Sequence, residues 1–145
     1  MKENHILIGL GGTGGKVLKA FRKRLFQEYN DDERSRLPIA FLYVDSSIEE
    51  MMPGDKTWYV LGKNAQFTAN EFVNVKGVDI QSILANPKGY PGLKGLIGDG
   101  EVMAKTIGEV GAAAAQKRRA GRILFGSSVE KFKSALLGAY KRVSS

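Results

Sequence analysis

The chain has no cysteine, one tryptophan, one histidine and four prolines among its 145 residues. Without cysteine there is neither a disulfide framework nor a thiolate metal site, which fits a reducing cytoplasm. No stretch approaches the roughly 20 apolar residues of a membrane-spanning helix. The opening MKENHILIGLGG carries only a short apolar run broken by glycines, unlike a secretory signal. A soluble, cytoplasmic chain with no membrane partner is therefore expected. Acidic residues are also scarce, 15 against 22 basic, for a net charge of +7. The excess is local: residues 101–145 hold nine basic and three acidic side chains, whereas 38–75 hold two and five. The tail centres on QKRRAGR, Gln116 to Arg122, a cluster that attracts phosphate. Aromatic residues are not interleaved with it, which disfavours nucleic acid as its partner.

What remains is ample for a globular fold. Hydrophobic residues make up 43% of a chain the size of one domain. Ile6 to Ile8 is a short β-branched run ended by glycine, as in a buried parallel strand. In KVLKAFRKRLFQEY, Val17, Phe21, Leu25 and Tyr29 recur at i+4 with Leu18 beside them, which predicts an amphipathic helix. Pro38 closes the polar connection NDDERSRLP, and IAFLYVD, Ile39 to Asp45, reads as a second buried strand. Strand, glycine turn, helix and strand make a βαβ unit with parallel strands. Thr57 to Gly62 reads as a third strand. FTANEFVNV and VDIQSILAN read as short helices within an irregular insertion at 63–100 that ends in PKGYPGLKGLIGDG. Glu101 to Ala115 reads as helical. A last helix follows a break at Gly126, with Ser127 and Glu130 as its capping box and Val129, Phe132, Leu136, Tyr140 and Val143 on one face.

Glycine is the residue present in excess, and five stand within nine positions in IGLGGTGGK, Ile8 to Lys16. Gly9-x-Gly11-x-x-Gly14 follows a strand and opens a helix, the setting in which bare backbone lets a pyrophosphate approach helix N–H groups. A Walker A loop does not fit, because Leu10 stands where its first glycine belongs and Val17 replaces the magnesium-binding hydroxyl. A Rossmann unit binding NAD(P) or FAD needs an acid at the end of the second strand. Asp45 is there, although 31 residues past Gly14 rather than about 20. A non-enzymatic anion-binding module is the third reading. His5 reads as a strand-flanking residue, Trp58 and Tyr59 as core and cover, and Asp31, Asp32 and Glu33 as a solvated loop. No catalytic dyad is visible.

The loop resembles the first phosphate loop of the tubulin and FtsZ superfamily, G-x-G-G-x-G-G-N in FtsZ-like proteins. Gly9, Gly11, Gly12, Gly14 and Gly15 match it, and Lys16 replaces the asparagine. AFLYVDSSIEEM is similar to that family's apolar strand followed by Asn-Thr-Asp, with Asp45, Ser46 and Ser47 in those places. Ser47 lacks the family's acid. GAAAAQKRRAGRILF is similar in outline to a further glycine-rich loop, and its wording looks most like the divergent bacterial tubulin-like proteins.

The resemblance implies an α/β fold: a Rossmann-like, three-layer parallel sheet of the tubulin nucleotide-binding type, with strands in the order three, two, one, four. Residues 1–145 would form the N-terminal part of one such domain. It implies binding of GTP or GDP, with magnesium, through Gly9, Gly11, Gly12, Thr13, Gly14, Gly15, Lys16, Asp45, Ser46, Ala113, Ala114, Gln116, Arg118 and Arg122. A whole protein of this kind would be a GTPase that self-associates into filaments. This chain lacks the signature G-G-G-T-G-S-G loop, so a truncated, hydrolytically inactive domain is expected, with an open strand edge at His5 to Ile8 that forms dimers.

Overall fold

The computed structural model describes residues 3–77, 79–97, 103–104 and 118–145. Strand β1 (His5–Leu10) leads into helix α1 (Gly11–Glu28), then a short helix α2 (Asp31–Ser35) and strand β2 (Ile39–Asp45). Two short strands, β3 (Tyr59–Val60) and β4 (Lys63–Asn64), precede β5 (Phe72–Asn74) and helix α3 (Ile80–Ala85). Helices α4 (Arg118–Ser127) and α5 (Val129–Ser144) complete the described chain.

β1, β2 and β5 form one parallel sheet in that order, with β2 central. Because side chains alternate along a strand, β2 serves two cores. Phe41 and Tyr43 pack with Leu18 of α1, Trp58 and Phe67. Leu42 and Val44 pack on the opposite face with Val73, Ile83, Ile123 and Leu124. Burial on both faces is why IAFLYVD reads as a continuous apolar run. Helices above and below a parallel sheet make the expected three-layer α/β architecture.

The third strand of the sheet is not the expected one. Tyr59–Val60 instead forms a separate antiparallel hairpin with Lys63–Asn64, turned by Leu61 (φ 50°) and Gly62 (φ 77°). Two successive left-handed residues suit the tight turn of a two-residue hairpin. The sheet takes Phe72–Asn74, within a stretch read as a short helix, because Phe72 meets Tyr43 (5.2 Å between ring centroids) while Val73 and Val75 enter the opposite core. The stretch 63–100 is thus not irregular throughout; it also holds α3, as VDIQSILAN predicted.

Other readings shift in detail. An i+4 repeat drifts about 40° around a helix at each step, so it cannot stay on one face. Accordingly Val17 is 64% and Phe21 42% exposed, and the inward residues are Leu18, Arg22 and Leu25. Arg22 donates to Ala65 O (2.6 Å) and both Glu71 carboxylate oxygens (2.7 and 3.1 Å), tying α1 to the loop before β5. Asp31 to Glu33 form the first turn of α2, where Asn30 and Glu33 make a capping box. Trp58 is fully buried and donates its indole N–H to Glu50 O, while Tyr59 is half exposed.

The break between α4 and α5 falls at Ser128, and the Ser127–Glu130 capping box does not form. Ser127 Oγ donates back to Leu124 O (2.8 Å), which removes it from the role. Tyr140 lies outside the buried face of α5, which Phe132, Leu136, Ala139 and Val143 supply. The helix expected over Glu101 to Ala115 lies outside the described residues apart from Met103 and Ala104, which are helical.

Candidate nucleotide-binding crevice

The five loop glycines divide by what surrounds them. A side-chain carbon on Gly9 would lie 2.7 Å from Gly14 O, and one on Gly14 would lie 2.8 Å from Gly9 C. These two glycines let the end of β1 press against the start of α1. One on Gly15 would lie 2.6 Å from the Tyr43 ring, so this glycine sets helix against strand. Gly11 sits at φ 68°, a conformation that glycine adopts without cost. Gly12 would meet nothing within 4 Å. Three glycines therefore serve packing, one the turn, and one faces open space.

No side chain caps α1 at Leu10 and no acidic residue lies in its first turn. The opening N–H groups of a helix have no intrahelical partner, and the helix dipole makes that end positive. The start of α1 borders a crevice of about 760 Å³ at the C-terminal ends of β1 and β2. Leu10, Gly11, Asp45 and Ser46 form one side of it, and Arg118, Gly121, Arg122 and Phe125 of α4 the other. Ligands of open parallel sheets occupy this position. Asp45 is held in place: Tyr43 Oη donates to its Oδ2 (2.5 Å) and the Ser47 N–H to its Oδ1 (3.1 Å). Burial, and then Asp45 itself, raise the Tyr43 hydroxyl far above the ordinary phenol range, so it remains a donor.

Of the residues expected at the site, Gly11, Asp45, Ser46, Arg118 and Arg122 line this crevice. Gly12 and Thr13 are exposed in the adjoining first turn of α1, and Gly9, Gly14 and Gly15 shape the loop from behind. Lys16 lines a different hollow of about 320 Å³, with Lys19, Lys23, Glu50 and Thr57. Ala113, Ala114 and Gln116 lie outside the described residues.

The sequence profile of a family described as tubulin-like matches residues 6–145. The chain belongs to the tubulin-like family. No curated protein and no solved structure matches it. In this tubulin-like chain the crevice has a wall that the loop motifs did not indicate. Gly92 and Leu96, from the stretch read as irregular, close it. They are held there by a contact in which a side-chain carbon on Gly92 would lie 2.1 Å from Gly126 O, and one on Gly126 2.4 Å from Leu93 Cδ2. Arg118, Gly121, Arg122, Phe125 and Val129 share the crevice side of the α4–α5 region. Within α4 the spacing of three and four that relates Arg118, Gly121, Arg122 and Phe125 was readable as one helical face. The described residues contain no group of three or more histidine or acidic side chains able to hold a metal, and no helix long and apolar enough to cross a membrane.

Proposed function

We propose that this chain is the guanine-nucleotide-binding part of a cytoplasmic, bacterial tubulin-like GTPase, and that GTP or GDP occupies the crevice. The observation that carries this reading is the convergence, at the C-terminal ends of two parallel strands, of an uncapped helix start with two arginines and one carboxylate. Phosphates suit the Gly11–Gly12 turn, where N–H groups and the helix dipole favour negative charge, and Arg118 and Arg122 add positive charge from the other side of the crevice. Open space at Gly12 fits a ligand's approach to the backbone. Asp45 can only accept hydrogen bonds when ionised, so it suits a ribose hydroxyl and not a phosphate oxygen. Magnesium, with one carboxylate at the crevice, would be carried chiefly on the phosphates and water.

Displacement of fluorescently labelled GTP tests this reading against the dinucleotide alternative, in which Asp45 would take the ribose of NAD(P). Unlabelled GTP and GDP are expected to displace the label at concentrations at which NADH does not. Displacement by NADH as effective as by GTP would overturn the assignment.

A further inference from the structure

We infer that Tyr43 is a positioning residue that fixes the Asp45 carboxylate toward a hydroxyl-bearing ligand, and that Gly15 leaves the room for it to do so. The inference rests on the nucleotide reading for the identity of that ligand, a nucleoside phosphate, but the device itself is visible without it. Tyr43 and Asp45 are two apart on β2 and so share one face of the sheet. The Tyr43 ring is fully buried among aromatic neighbours, with Phe67 and Phe72 at 5.9 and 5.2 Å between centroids. A phenylalanine would fill such a place equally well. Among the described residues the hydroxyl bonds to Asp45 Oδ2 at 2.5 Å, and holding that carboxylate is its evident use.

The second clamp is the Ser47 N–H on Oδ1. An ionised carboxylate has about four lone-pair positions, and the two donors among the described residues take about two of them, so a ligand's hydroxyls can use the others. A carboxylate held from below and from the following loop is preorganised, which lowers the ordering cost of binding. Gly15 belongs to the same device. Any side chain there would begin 2.6 Å from Tyr43 Cε2 and would push the ring, and with it the hydroxyl, away from Asp45. The glycine loop and the end of β2 are in this way set by one another through a single side chain.

Tyr43→Phe removes the hydroxyl and keeps the ring. Two readouts on the folded variant test the proposal. Three-bond couplings to the Asp45 β-protons, measured without ligand, are expected to report one χ1 rotamer in the wild type and averaging in Tyr43→Phe. Calorimetric affinity for GTP is expected to fall roughly threefold to tenfold, the cost of ordering one side chain on binding. Affinity for inorganic tripolyphosphate, which has no ribose, should stay within about twofold. Asp45→Asn should lower GTP affinity similarly, and Tyr43→Phe added to it should cost no more. An Asp45 rotamer unchanged in Tyr43→Phe would overturn the proposal, as would equal losses for GTP and tripolyphosphate. A wild type that binds neither ligand would refute the nucleotide reading instead, and the rotamer measurement would then decide the positioning role alone.

Discussion

Gly12 and Gly15 stand three positions apart in one loop, yet a larger residue at each should act on different properties. Gly12→Val adds its side chain to open space, so the melting temperature should change little while phosphate affinity is lost. Unchanged affinity in the folded variant would mean that the loop is only a turn. Gly15→Ala drives a carbon into the Tyr43 ring, and overpacking of this kind costs about 1–3 kcal/mol. Denaturant unfolding should show that loss, and wild-type stability would contradict the packing role. Arg22 is the third test at this scale. Its ion pair with Glu71 is partly shielded from water, and Arg22→Ala leaves that carboxylate with the Thr68 N–H and hydroxyl as donors, at a cost of about 1–3 kcal/mol. A loss below about 1 kcal/mol, the range of a surface pair, would show that the site is effectively solvated.

Elements differ in how far local sequence determined them. β1 and β2 were legible because buried parallel strands are continuous apolar runs, and α1 because glycine opens it and a polar connection ends it. β5 was not: its three residues lie between polar loops, and pairing with β2 together with the Tyr43–Phe72 contact makes them a strand. In the crevice, Gly11, Asp45 and Ser46 were legible from the βαβ unit, and Arg118 and Arg122 from the charge cluster. The wall at Gly92 and Leu96 was not, since the contact that holds it joins residues far apart in sequence. Gly92→Ala should dislodge that wall, because its new carbon would overlap the Gly126 carbonyl oxygen at 2.1 Å. Amide exchange over residues 90–97 should then accelerate while β2 stays protected. Unaltered exchange there would show that the Gly92–Gly126 contact does not hold the segment.

Across the whole molecule, three layers leave β1 at one end of the sheet among the described residues. The His5 N–H donates to Pro38 O, toward β2, so His5 is not the free edge donor that the sequence reading assumed. Alternation along the strand places the outward backbone groups on Ile6 and Ile8. Self-association through this edge is accordingly tested with Ile6→Pro, which deletes an outward donor and no bond of the sheet. A dimer that persists in the folded variant would rule the edge out.

The central claim is that the crevice recognises the phosphates of a nucleotide, and calorimetric titration of the wild-type chain with GTP, GDP and guanosine tests it most directly. GTP and GDP are expected to bind, with guanosine weaker by at least tenfold. Equal affinity for guanosine and GTP would contradict the account.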